Sequence, residues 1–308
     1  MTIVNLVVPV TGVILIGWLA GYFNYLSRDI SDGLVHFAYN IAMPALLFDT
    51  LAQENMESLL AWRFLLAFGG GSLICFVVVF IFSAGRAKRG IGSRTMYGLC
   101  ASMTNTAFVA LPILHRMYGP PGVLPAAIAT LFVALVMFPV STILLEWQRQ
   151  GVRSRSWQLA GKVVLNPLVL SSVLGVAWAI TGAPVPKLLD NLLKIFGDAL
   201  AASALFAIGL GLSFDGVRSN FRPSMMLAVI KLAIMPALVW GLALLLGLDH
   251  RFTTSAVVCA AVPTAKTAYI LSKENLCEEP LVASTISLTT LLSTVSLVFW
   301  LSVLPELI

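Results

Sequence analysis

Lys266 and Asn105 stand in hydrophobic surroundings that offer them no obvious solvent, and both sit in short polar runs of similar spelling. Thr104 to Phe108 reads TNTAF and Ala265 to Tyr269 reads AKTAY. An ammonium, a carboxamide and flanking hydroxyls make poor nucleophile–base pairs, but together they can hold an anion. A lysine near the centre of a bilayer costs on the order of 2.5–3.5 kcal/mol on insertion scales, so it needs a partner or a wet cavity. Lys266 therefore either snorkels to an interface, pairs with a buried carboxylate, or offers its charge to an anionic substrate. Asn105 is flanked by Thr104 and Thr106, with Ser102 one turn back. Such a run suits a broken helix, whose freed amides at the start of the second half also suit a carboxylate. Thr264 and Thr267 flank Lys266, and Pro263 precedes them as a helix breaker.

The two runs fall about 160 residues apart, and placing them in register sets Asn105 over Lys266 and Thr106 over Thr267. Upstream, with a slightly smaller offset, Pro9 and Gly17 fall on Pro167 and Gly175, and Asn40, Leu47 and Phe48 fall on Asp198, Leu205 and Phe206. Duplicated halves with interrupted, polar-centred helices in corresponding places point to the binding site of a transporter. The expected substrate-binding set is Asn105, Thr106, Thr104, Lys266, Thr267 and Thr264, with Asn40 facing it from the other side. Lys266 and Asp198 are the candidates for coupling. Pro44 and Pro263 are the expected helix breaks. No catalytic residue, metal ligand or cofactor is expected.

The elements that must position these residues are membrane helices. Hydrophobic residues make up 59% of 308 positions and charged residues 11%, and the mean hydropathy is +0.94. No soluble domain of this size hides so much apolar surface. Ten segments are expected to span, each needing about 20 residues: Asn5–Phe23, Ser31–Leu51, Arg63–Ser83, Thr95–Tyr118, Val123–Trp147, Trp157–Thr181, Leu188–Phe214, Pro223–Leu246, Phe252–Ser272 and Pro280–Leu304.

The net charge of +5 is a topology signal rather than a sign of nucleic-acid binding. Alternate loops carry Arg28; Arg86, Lys88, Arg89 and Arg94; Arg149, Arg153, Arg155 and Lys162; Arg218 and Arg222; and Lys273. The opposite side carries only Arg63, Arg116, Lys187, Lys194 and Arg251. By the positive-inside rule both termini are expected to face out. A cysteine introduced near Ser154 is then shielded from impermeant reagents in intact cells, and one near Ala183 is labelled. Reversed labelling would overturn this orientation.

The basic stretch Gln148–Ser156 (QRQGVRSRS) reads as a cytoplasmic linker between five-span halves, residues 1–147 and 157–308. An odd number of spans per half makes the second copy enter from the opposite side, so the repeats are inverted. Each transmembrane proline frees a carbonyl one turn earlier, which something nearby must satisfy. Pro139 and Pro236 read as kinks, and Gly69 to Gly71 and Gly209 to Gly211 as sites of close helix packing. Lys231, nearer the start of its span, reads as a snorkelling structural lysine. His36, His115 and His250 lack metal-ligand spacing. Cys75, Cys100, Cys259 and Cys277 form no CxxC pair and read as packing residues. The absence of nucleotide-binding or triad motifs disfavours an ATP-driven pump or an intramembrane enzyme.

Asn105 to Gly119 (NTAFVALPILHRMYG) resembles the fourth-helix motif of the auxin efflux carrier superfamily, and Ala260 to Asn275 (AAVPTAKTAYILSKEN) its ninth-helix motif. NIAMPALLF (Asn40–Phe48), the Asn166–Pro167 pair and KLAIMP (Lys231–Pro236) agree. The resemblance implies an all-α fold of ten helices in two inverted five-helix repeats, shared with bile-acid:sodium symporters, in which helices four and nine cross at broken centres. It also implies a scaffold of helices 1, 2, 6 and 7 beside a core of helices 3–5 and 8–10. The plant carriers have a proline where this chain has Thr104, a second proline at Ala268, an apolar residue at Lys266, and a long loop where this chain has Gln148–Ser156. A bacterial member similar to malonate transporters, placed in the inner membrane, fits better. The expectation is a secondary active transporter of a small organic anion, malonate-like or auxin-like, working by alternating access in a lipid bilayer. A homodimer is compatible with it. The alternatives are a sodium-coupled symporter of the bile-acid type and a membrane receptor that binds a ligand without moving it.

Overall fold

Proline shapes the long helices of this protein without ending most of them. In the computed structural model, which describes residues 3–54, 61–86, 90–150, 165–212 and 217–304, four π-turns occur among the described residues: Ala38–Ala42, Thr106–Ala110, Val133–Met137 and Ile230–Ile234. Each ends two positions before a proline, namely Pro44, Pro112, Pro139 and Pro236. A proline ring clashes with the carbonyl four residues back and cannot donate to it. Widening one turn relieves the clash and lets the helix continue.

The helices are α1 (Ile3–Tyr22), α2 (Arg28–Phe37) running through a π-turn into α3 (Met43–Ala52), α4 (Trp62–Phe82), α5 (Ile91–Ser102) and α6 (Leu111–Tyr118). Next come α7 (Val123–Phe132), continued through a π-turn into α8 (Phe138–Gln150), then α9 (Pro167–Thr181) and α10 (Lys187–Leu210). The last five are α11 (Val217–Val229), joined through a π-turn to α12 (Met235–Leu245), then α13 (His250–Ala261), α14 (Lys266–Glu274) and α15 (Glu279–Val303). Among the described residues, six helical stretches are long and apolar enough to cross a membrane: Asp29–Ala52, Trp62–Gly85, Pro120–Gln148, Lys187–Leu210, Asn220–Leu245 and Glu279–Val303. Val7–Tyr22 and Pro167–Thr181 are shorter apolar helices. The expected spans Thr95–Tyr118 and Phe252–Ser272 are interrupted. Many large apolar side chains, among them Ile16, Val78, Leu174 and Leu245, are exposed, which suits contact with lipid rather than water. The expected linker lies outside the described residues from Gly151 onward.

The chain forms two compact units: Met1–Trp62, Ala107–Leu131 and Gly161–Leu212, and, second, Arg63–Thr106, Phe132–Ala160 and Ser213–Ile308. In the first unit α1 packs on α10 and α3 on α9. Both contacts are made at glycine. A Cβ on Gly17 would lie 2.2 Å from the Phe206 carbonyl oxygen, and one on Gly175 would lie 3.0 Å from that of Phe48. Asn166 caps α9 by accepting from the Leu168 N–H (2.9 Å) and donates to the Tyr39 hydroxyl (2.8 Å), while Pro167 occupies the first turn, where no N–H is missed. In the second unit α11 packs on α15 and α12 on α13. Gly69 and Gly71 make room there for the Phe132 ring and the Val239 side chain, the packing role expected of them.

Pro44 corrects one expectation. It does not break its helix, because the π-turn Ala38–Ala42 accommodates the ring and α3 follows directly.

Candidate functional site

The second unit contains two interruptions that meet. Helix α13 stops at Ala261 because Pro263 cannot continue it, and Val262, the residue before proline, takes the extended conformation such residues prefer. Helix α5 stops at Ser102 with no proline nearby, and Met103 is extended as well. The cause is tertiary: the Asn105 N–H donates to the Pro263 carbonyl (2.9 Å), and the Ala265 N–H donates to the Met103 carbonyl (3.1 Å). These bonds form an isolated antiparallel bridge between Thr104 and Thr264. Buried backbone groups that leave a helix must find partners, and here each interruption supplies the other's.

An antiparallel bridge has a local twofold axis through its paired residues. Thr104 therefore corresponds to Thr264, Asn105 to Ala265 and Thr106 to Lys266. This shifts by one residue the register read from the sequence, which set Asn105 over Lys266.

The bridge gathers most of the expected site residues. Thr104, Asn105, Thr106 and Thr264 are all buried. The Thr264 hydroxyl donates to the Cys100 carbonyl (2.8 Å), one of the orphan carbonyls in the last turn of α5, and the Thr264 N–H donates to the Thr289 hydroxyl on α15 (3.2 Å). The buried Thr104 hydroxyl has no hydrogen-bond partner among the described residues. Lys266 and Thr267 open α14 and are half-buried. Ala265 occupies the N-cap and has no capping group of its own, and the first turn carries no acidic residue. The positive end of α14 thus carries no acidic residue of its own in its first turn and has a lysine added to it. That combination favours an arriving anion.

Sequence reasoning misplaced Lys231. It does not snorkel: it is 0% exposed, and its ammonium donates to the carbonyls of Ala260 and, at 2.7 Å, Val262. Both carbonyls lie at the point where α13 breaks off. Lys231 is inside the π-turn Ile230–Ile234, and the extra residue there turns the upstream helix face by about 100°. The carbonyl that Pro236 deprives of a donor is that of Leu232, four residues back. It accepts instead from the Ser296 hydroxyl (2.8 Å) and the Trp300 indole (2.9 Å). The signal for this arrangement is the spacing of Lys231 and Pro236, which places the lysine beside the π-turn.

Asn40 and Asp198 lie in the first unit and are exposed. The Asn40 amide donates to the His36 carbonyl of its own helix (2.9 Å). Cys75, Cys100 and Cys259 are buried in the second unit, and the Cys75 thiol donates to the Ala101 carbonyl (3.3 Å).

Comparison with known proteins agrees with this anatomy. The family model described as "Membrane transport protein" matches residues 2–301. A protein of Rhizobium meliloti (strain 1021) named "Putative malonate transporter" is 25% identical over 296 residues, covering 94% of this chain and 92% of that protein. Auxin efflux carrier component 5 of Arabidopsis thaliana is 22% identical over 311 residues, covering 88% of each. Among solved structures, a sodium–proton antiporter of Methanocaldococcus jannaschii superimposes with a TM-score of 0.52 at 14% identity, covering 96% of this chain and 92% of the antiporter. That likeness establishes the fold alone. With membrane-length apolar helices, paired helix interruptions and a family match over nearly its whole length, the chain belongs to the auxin efflux carrier family of membrane transport proteins and is an integral membrane transporter, not an enzyme.

Proposed function

We propose that the protein is a secondary active carrier of a small organic anion, a mono- or dicarboxylate of the malonate or auxin type. The observation that carries this reading is the N-terminus of α14, which follows Ala265, is headed by Lys266 and is held beside Asn105 by the Thr104–Thr264 bridge. In this reading ten helices form two inverted repeats. Two interlocking contacts of the first unit support it: Gly17 against Phe206, and Gly175 against Phe48. Gly17 and Phe48, each advanced by the same 158 positions, become Gly175 and Phe206, so the two contacts are one contact made twice with the partners exchanged. Helices 1, 2, 6 and 7 would act as scaffold, and the helices carrying the bridge would move past it between outward- and inward-open states. Thr104, Asn105, Thr106, Thr264, Lys266 and Thr267 would hold the anion.

Counterflow in proteoliposomes, with labelled malonate first and other carboxylates after it, tests the reading. Exchange of external label against internal unlabelled anion identifies a carrier, whereas binding without exchange identifies a receptor. Asn105→Ala removes an amide but little packing volume. It should reduce binding and counterflow at least about tenfold, the effect of losing one hydrogen bond to a charged group, with the unfolding midpoint nearly unchanged. Normal transport by this variant would place the anion elsewhere.

A further inference from the structure

The break in the second unit has two electrically opposite ends, and only one of them suits an anion. The end of α13 presents the carbonyls of Ala260 and Val262, carrying the partial negative charge of a helix C-terminus. In transporters with discontinuous helices, such carbonyl ends and unwound carbonyls are where a coupling cation is coordinated. Here the ammonium of Lys231 sits on both carbonyls, fully buried, and no carboxylate lies within ion-pair distance of it among the described residues.

We propose that Lys231 is a built-in cation: its ammonium occupies the seat that an alkali ion would take at the carbonyl end of the broken helix, so the protein needs no sodium to form its binding site. Three features of the fold aim the side chain there. Pro236 imposes the π-turn that carries Lys231. Ser296 and Trp300 secure that turn through the Leu232 carbonyl. Pro263 exposes the receiving carbonyls by ending α13. Lysine contributes a compact charge with three donors on a flexible stem, and two of those donors account for the two carbonyls. Lys231 is thus a positioning residue that holds the break open in the shape that presents the start of α14. The consequence for coupling rests on the carrier reading above; the seat itself does not.

The test measures unfolding midpoints of the purified full-length protein in sodium, lithium, methylammonium or choline chloride at equal ionic strength. Wild type should unfold at the same temperature in all four salts. Lys231→Met leaves two buried carbonyls without donors, and in choline its midpoint should fall by several degrees, on the order of 5 °C. Sodium or methylammonium, but not choline, should restore part of that loss in a saturable manner. A lysine with only a packing role would show no such cation-selective rescue. Lys231→Arg keeps a cation and should remain indifferent to sodium, which preserves the test if the methionine variant does not fold. A midpoint raised by sodium in wild type or in Lys231→Arg overturns the proposal, as does a Lys231→Met variant that no small cation restores. Malonate counterflow in the presence and absence of sodium is measured alongside. Sodium-stimulated counterflow in wild type also overturns the proposal, whereas the absence of all counterflow with cation rescue intact removes the carrier reading and leaves the built-in cation standing.

Discussion

Lys266→Met is expected to weaken carboxylate binding roughly 10- to 100-fold, the range for losing a hydrogen bond to a charged group. Folding should scarcely change. Lys266 is the first residue of α14, and a cation at the positive end of a helix opposes the macrodipole by about 0.3–1 kcal/mol. Without ligand, the methionine variant should therefore be as stable as wild type or slightly more so. With ligand, the order should reverse, because stabilisation by an anion grows with its concentration relative to its dissociation constant. Thermal unfolding with and without malonate, in both proteins, reads the two effects together. Unchanged affinity in the variant would return Lys266 to a packing or snorkelling role.

Gly209→Ala should cause the largest loss of stability. A Cβ at this position of α10 would lie 1.9 Å from the Ile14 carbonyl oxygen and 2.9 Å from the Trp18 nitrogen, both backbone atoms of α1. No rotamer change can relieve a clash with backbone, so the two helices must separate along their contact. Overpacking of this kind costs about 1–3 kcal/mol and occasionally more. The yield of folded protein and its unfolding midpoint should both drop. Gly12→Ala on α1, the helix that Gly209 packs against, where a Cβ would meet nothing within 4 Å, is the control. It should be neutral or slightly stabilising, since alanine is the better helix former by about 1 kcal/mol. Equal midpoints in the two variants would show that close approach at Gly209 does not govern this face.

The solvent, the helical class and the places of interruption were all legible in the residues. Hydrophobic runs of spanning length leave a chain no option but helices, because every backbone group must bond within its own segment. Pro263 announced the break after Ala261, and the polar run Thr104–Thr106 announced the other, although no proline stands there. The glycines at 17 and 175 stood out only as equivalents in a repeat. That each faces a phenylalanine carbonyl of another helix depends on which helices pack together.

What the tertiary structure decided is mainly a matter of which orphaned backbone group meets which partner. Helix α5 ends at Ser102 because the Pro263 segment offers it hydrogen bonds, a fact absent from its own residues. The bridge pairs Thr104 with Thr264 and so sets a register one residue away from the best letter match. Hydrogen bonds align backbones, whereas sequence comparison aligns side chains. Pro44 reads as a break but is accommodated by a π-turn, because the damage a proline does depends on whether the turn before it can widen. Lys231 reads as a snorkelling residue by its distance along the span. Its fate was settled by a π-turn that rotates its helix face and by two carbonyls on another helix. A buried ammonium goes where acceptors are, and acceptors freed by a distant break cannot be located until the chain has folded.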